Sequence, residues 1–220
     1  VSHRDYKLLI FDWDGTLANS IGRIVESMHM ASTRSGFELC SDRAVKGIIG
    51  LGLPEAIRTL YPQIADQELL AFREHYADHY IALEAEPSPL FEGVRQSLEA
   101  FRADGYHLAV ATGKARRGLD RVLKAHGFED YFDITRAADE TASKPHPLML
   151  EEILAHCAVS PREALMVGDA SFDLMMARNA GMDSVAVSYG AQSPEALQQY
   201  EPRVTIDHFS ELHAWLNRAQ

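Results

Sequence analysis

The chain has 220 residues, 46% hydrophobic and 24% charged, the make-up of an ordinary folded domain and not of a disordered or fibrous chain. No run approaches the roughly 20 apolar residues of a membrane span, so no membrane partner is expected. Twenty-one basic against 32 acidic residues give a formal charge of −11, which disfavours a nucleic-acid partner, since such binding draws on a basic field.

Val1–Lys7 is polar, does not begin with Met and shows no apolar leader. Cys40 and Cys157 lack both metal-ligand spacing and the number for a disulfide framework. A reducing, cytoplasmic setting is therefore expected. Lys7–Phe11 is a short apolar run that stops at Asp12, as a strand buried on both faces would. From Ser20 to Glu86 the pattern is helical only. Ile21–Ser35 carries Ile21, Ile24, Val25 and Met28 on one face; Pro54–Leu60 is a short helix; Gln67–Leu83 carries a stripe of Leu69, Leu70, Phe72, Tyr76 and Tyr80. Pro87-Ser88-Pro89 then reads as a semi-rigid linker.

Beyond it, helices and strands alternate. The spacing predicts helices over Val94–Ala103, Leu119–Ala125, Leu148–Cys157, Asp173–Ala180 and Ser210–Trp215. Strands are predicted over His107–Ala111, Ala164–Val167, Ser184–Val187 and Arg203–Ile206. This alternation predicts an α/β fold, a doubly wound parallel sheet. A small α-helical domain is inserted after the first strand. The expected ranges are 1–17 and 88–220 for the core and 18–87 for the insert.

Open parallel sheets bind ligands beyond the carboxyl ends of their strands. Asp12 and Asp14 follow the first strand, Thr112-Gly113-Lys114 the second, and Gly168-Asp169, with Asp173, a later one; Lys144 precedes that strand. Clustered carboxylates persist only with a cation between them, and all-oxygen ligation favours Mg²⁺. A phosphate dianion about 4 Å from Asp12 meets roughly 8 kcal/mol of repulsion at an effective dielectric near 20. A bound cation and a fixed lysine together offset that. The Thr112 hydroxyl and the Gly113 N–H are donors for phosphoryl oxygens.

Phe11-Asp12-Trp13-Asp14-Gly15-Thr16-Leu17 resembles the first motif of the haloacid dehalogenase-like hydrolases. Val110-Ala111-Thr112-Gly113-Lys114 resembles the second, Ser143-Lys144-Pro145 the third, and Val167-Gly168-Asp169 with Asp173 the fourth. The helical insert resembles the cap of the phosphoglycolate phosphatase-like branch. The resemblance implies a Mg²⁺-dependent phosphatase for small phosphorylated metabolites. Asp12 would be the nucleophile, forming an aspartyl-phosphate. Asp14 would be the general acid and base and give its backbone carbonyl to the metal. Thr112 would bind the phosphoryl group, Lys144 would orient Asp12, and Asp169 and Asp173 would hold the metal directly or through water. One departure stands out: Ala170 occupies a position that usually carries Ser or Thr, so a hydroxyl is lost unless Ser171 replaces it.

Other features have plainer readings beside the functional ones. Lys114, Arg116 and Arg117 form a basic cluster that attracts an anionic substrate or simply solvates a helix, with Lys114 the candidate for substrate binding. His75 and His79 have the spacing of a helical metal pair but no third ligand nearby, so a solvent-facing helix is expected. His146 reads as a loop residue, and Trp13 as space-filling beneath the insert. Gly50-Leu51-Gly52-Leu53 lacks the third glycine and the preceding strand of a dinucleotide loop. In the family such a loop faces the active site, which makes Gly50 and Gly52 substrate-binding candidates. Arg23 is placed to reach the substrate. A sugar-phosphate mutase shares these motifs and remains an alternative function; a phospho-receiver signalling module is the alternative from another class. A monomer or homodimer is expected.

Overall fold

The computed structural model describes residues 6–218. The reading of a missing leader therefore falls mostly outside the described residues, as do the outer ends of the ranges 1–17 and 88–220. The sheet is built from β1 (Leu8–Phe11), β2 (His107–Thr112), β3 (Ile134–Ala137), β4 (Ala164–Gly168), β5 (Asp183–Val187) and β6 (Thr205–Ile206). Their order is β3-β2-β1-β4-β5-β6, and every pair is parallel. β1 is central: Phe11 stands opposite Val110 of β2 and Val167 of β4. This register brings the residues after β1, β2 and β4 to one edge.

The central strands are apolar on both faces because helices cover both. Leu9, Phe11, Leu108, Val110, Leu165 and Val167 share a core with α5 (Val94–Ala103), α6 (Arg116–Ala125) and α10 (Glu211–Arg218). The alternate residues Leu8, Ile10, Ala109, Ala111, Ala164 and Met166 pack on α7 (Leu148–Cys157) and α8 (Ser171–Asn179). Each large side chain so buried stabilises the fold by about 1.5–3 kcal/mol. The sheet is the expected doubly wound one. It also contains β3, which the sequence reading omitted.

Residues between β1 and α5 form α1 (Ile21–Ser35), α2 (Asp42–Lys46), α3 (Leu53–Leu60) and α4 (Asp66–Leu83). Their apolar faces meet in a separate core that includes Ile24, Met28, Val45, Ile57 and Phe72. Gly36, at φ 75°, ends α1 in the left-handed conformation. The two chain crossings between insert and sheet pair with each other. Asn19 N–H donates to Pro89 O at 2.8 Å, and Phe91 N–H to Leu17 O at 2.9 Å. α9 (Pro194–Gln198) completes the helices. Among the described residues no helix is long and apolar enough to cross a membrane.

Three expectations are corrected here. Trp13 belongs to the sheet core, against His126 and Phe128 at 5.9 and 6.4 Å between ring centroids, because it continues the alternation Leu9, Phe11, Trp13. His75 and His79 do not simply face solvent. They bind α1 through Ser35 Oγ at 3.0 Å and Glu26 Oε1 at 2.9 Å. Arg23 is occupied elsewhere: its guanidinium donates to the carbonyls of Leu83, at 3.0 Å, and Glu86 past the end of α4.

Candidate active site

β1 ends at Phe11 and delivers Asp12 rigidly to the sheet edge. Asp12 Oδ1 accepts the Trp13 N–H at 2.7 Å and lies 3.0 Å from Lys144 Nζ. Lys144 is 1% exposed. Its ammonium also donates to Asp173 Oδ1 at 2.7 Å, so one buried cation bridges two motif carboxylates. Asp173 Oδ2 accepts the Ala170 N–H at 3.1 Å and caps α8. Asp173 thus both caps a helix and joins the site.

Asp169 lies at the end of β4. Its Oδ1 accepts the Thr16 hydroxyl at 3.2 Å and its Oδ2 the Ala191 N–H at 2.7 Å. Asp169 thus takes a hydroxyl from Thr16, and the Ser171 N–H goes to Gln192 Oε1 at 3.0 Å. The loop after Asp14 turns at Gly15, φ 77°, where any Cβ would overlap the Asp169 carboxylate.

Side-chain oxygens of Asp12, Asp169 and Asp173 all lie within 4.8 Å of one another. Burial, and then Asp173, push the Asp12 carboxyl well above its usual range. Burial, and then Asp173, raise Asp169 to about 7. Burial opposes the charge on Lys144, but Asp12 and Asp173 outweigh it and raise its pKa. Three buried carboxylates therefore face one ammonium. A hard, all-oxygen set with excess negative charge fits a divalent cation.

Asp14 stands apart from this triad. Its Oδ1 accepts the Ser20 hydroxyl at 2.6 Å and lies 3.2 Å from Lys114 Nζ. Thr112 is fully buried, and its Oγ1 accepts the Lys114 N–H at 3.2 Å. The insert loop around Gly50 and Gly52 sits on the motif loops. Gly52 N–H donates to Ser143 Oγ at 2.9 Å. A Cβ on Gly113 would lie 2.5 Å from Gly50 O and 2.6 Å from Leu51 O. One on Gly50 would touch Phe172 and Ala170. All ten expected site residues, Asp12, Asp14, Gly50, Gly52, Thr112, Gly113, Lys114, Lys144, Asp169 and Asp173, therefore lie in this one contact network.

Around them are residues the sequence reading passed over: Thr16, Ser20, Tyr80, Ser143 and the Ala191 amide. Thr16 and Ser143 sit inside quoted motifs, and that adjacency was their available signal. The basic cluster divides. Lys114 turns into the site, whereas Arg116 is spent on Glu140, Asp120 and Thr135. His146 is a loop residue whose Nδ1 accepts the Leu148 N–H at 3.2 Å.

The family model for haloacid dehalogenase-like hydrolases matches residues 9–187. A phosphoglycolate phosphatase of Vibrio vulnificus (strain YJ016) is 30% identical over 220 residues, covering 96% of each chain. The pyrophosphatase PpaX of Halalkalibacterium halodurans is 29% identical over 206 residues, covering 93% of this chain and 94% of its own. The crystal structure of a predicted phosphoglycolate phosphatase from Haemophilus somnus 129pt superposes with a TM-score of 0.82 at 27% identity, covering 96% of this chain and 97% of its own. The family match over most of the chain and the 30% identical relative show the family: the chain belongs to the haloacid dehalogenase-like hydrolases.

Proposed function

We propose that this protein is a Mg²⁺-dependent phosphatase of small phosphorylated metabolites that works through an aspartyl-phosphate on Asp12. The observation that carries this reading is the placement of Asp12. It is buried at a strand end, held through Oδ1 by Lys144 at 3.0 Å and the Trp13 N–H at 2.7 Å. Among the described residues no hydrogen bond reaches its Oδ2, the oxygen assigned here to attack phosphorus. Attack by that oxygen forms the Asp12–phosphorus bond and breaks the bond from phosphorus to the leaving oxygen.

Asp14 delivers its proton to the departing oxygen and then takes one from the water that attacks the aspartyl-phosphate. Phosphate leaves, and both carboxyls return to their starting states. The Ser20 hydroxyl fixes the Asp14 rotamer. Thr112 and the Gly113 N–H hold phosphoryl oxygens. Lys144 offsets charge on Asp12 and on the entering phosphoryl group. Asp12, Asp169, Asp173 and the Asp14 backbone carbonyl would hold Mg²⁺, which when bound neutralises phosphoryl charge.

Residues 18–87 act as a cap on the core 1–17 and 88–220, and the paired crossings near Asn19 and Pro89 are its hinge. Seating of Gly50–Gly52 on Gly113 and Ser143 excludes water while the ester is bound. The names of the relatives, a phosphoglycolate phosphatase and a pyrophosphatase, support a small substrate. A cytoplasmic setting accords with that class of metabolite. Neither the family match nor the cap favours a phospho-receiver, which has no bound ester to enclose.

The test is hydrolysis of an aryl phosphate with Mg²⁺ or chelator, run beside Asp12→Asn. Turnover that requires both Mg²⁺ and Asp12 is expected. Equal turnover by Asp12→Asn would refute the assignment of the nucleophile.

A further inference from the structure

Beside Asp14 lies a cluster that the phosphoryl chemistry does not use. Lys114 follows Gly113, and its ammonium turns inward with 11% of the side chain exposed. Nζ lies 3.2 Å from Asp14 Oδ1 and 3.3 Å from the Tyr80 hydroxyl, and it stands 4.6 Å from the centre of the Tyr80 ring. Tyr76 stacks on Tyr80 one turn away on α4, at 5.8 Å, so aromatic surface bounds the ammonium on the insert side. An ammonium has three N–H donors. Among the described residues the Tyr80 hydroxyl accepts one of them, and Asp14 Oδ1 lies at ion-pair distance. The Glu84 carboxylate is paired to Arg121 at 3.0 Å, which offsets its repulsion of an incoming anion.

Position gives this ammonium its meaning. On the phosphatase reading above, the leaving oxygen must reach the Asp14 carboxyl to take its proton. Whatever is bonded to that oxygen then lies beside Lys114. We propose that Lys114 is a specificity-determining residue that binds an anion carried by the leaving group. The preferred substrates are phosphate esters or anhydrides whose leaving group bears a carboxylate or phosphate close to the bridging oxygen. A neutral, apolar leaving group leaves a buried N–H donor unpaired, and sites with such donors discriminate strongly against analogues that cannot pair with them. The inference rests on the phosphatase reading and adds the residue and the substrate chemistry.

Steady-state kinetics in excess Mg²⁺ test it with three substrates: 2-phosphoglycolate, inorganic pyrophosphate, and ethyl phosphate as the neutral-leaving-group control. Wild type is expected to favour at least one anionic substrate over ethyl phosphate by about tenfold or more in kcat/KM. In Lys114→Met that preference is expected to fall by about 10- to 100-fold. Comparing this ratio between the two enzymes cancels intrinsic leaving-group reactivity and any damage to Asp14 common to all substrates. A fall confined to 2-phosphoglycolate identifies a carboxylate as the recognised anion, and one confined to pyrophosphate a phosphate; either supports the proposal. Parallel loss on all three substrates, with the ratio unchanged, overturns it and makes Lys114 a positioning residue for Asp14.

Lys114→Gln replaces Lys114→Met if the latter does not fold. Wild type alone can also overturn the proposal. Asp12-dependent turnover with no preference for an anionic leaving group overturns this proposal and leaves the phosphatase reading standing. Absence of Asp12-dependent turnover on all three substrates and on the aryl phosphate removes both.

Discussion

Gly113→Ala tests whether seating of the insert loop on the second motif matters for turnover. Gly113 has a backbone conformation that alanine also adopts, and alanine keeps the N–H that would bind a phosphoryl oxygen. The new methyl group is the only change. It would stand 2.5 Å from Gly50 O, against the 3.4 Å at which ordinary contact begins, so the loop must retreat by about 0.9 Å. Both close atoms are backbone carbonyl oxygens of the loop, so no side-chain rotation relieves the overlap. Overpacking of this kind costs about 1–3 kcal/mol when the neighbours cannot move. Here the loop can move, so the strain appears as imperfect closure and a weakened Gly52–Ser143 hydrogen bond. A misplacement near 1 Å can lower a rate by about 100-fold, and a 10- to 100-fold fall in kcat/KM is expected. Aryl phosphate kinetics and thermal unfolding are measured together, with the midpoint expected to move little. A Gly113→Ala enzyme within about twofold of wild-type kcat/KM would refute the role given to the loop.

Lys144→Met leaves Asp12 and Asp173 without their buried cation and should destabilise the fold by about 3–5 kcal/mol, read by denaturant unfolding, with Mg²⁺ recovering part of the loss. Gly190→Ala places a methyl group on the Asp169 carboxylate, and the Mg²⁺ concentration for half-maximal rate should rise about tenfold or more. Burial raises the Glu140 carboxyl, but hydrogen bonds from Arg116 and the Ala137 N–H prevail and hold it below its ordinary 4.5. Its contribution is therefore fully present above pH 4.5 and is lost as pH falls through the lowered value. Glu140→Gln should then lose less stability than wild type over that acid range, measured by unfolding midpoints against pH.

Much of this architecture is legible in the sequence because the central strands are buried on both faces. Leu8–Phe11 and Ala164–Val167 read as apolar runs for that reason. β3 escaped because it is an edge strand whose middle residues, Thr135 and Arg136, are only half-buried. α2 and α9 have five residues each, too few for helical periodicity to register. α6 begins at Arg116, ahead of its first apolar residue Leu119, which is where the hydrophobic pattern starts.

The site follows the same division. Asp12, Thr112 and Asp169 are fixed by strand ends, and the parallel register turns three sequence positions into one edge. The partners of Asp14 are tertiary. Tyr80 reads as core on the α4 stripe, and only the packing of α4 beside Lys114 gives its hydroxyl a role. His79 and Arg23 failed for a related reason. Helical spacing gives the face of a residue but not what that face meets.

In the proposed mechanism Asp12 carries the phosphoryl group during turnover. The most direct measurement is acid quench of the wild-type enzyme during steady-state turnover with Mg²⁺, followed by peptide mapping. A phosphorylated Asp12 peptide is expected, absent with chelator and absent from Asp12→Asn. Sustained turnover with no phosphoryl group on Asp12, alongside an active Asp12→Asn enzyme, would contradict this mechanism.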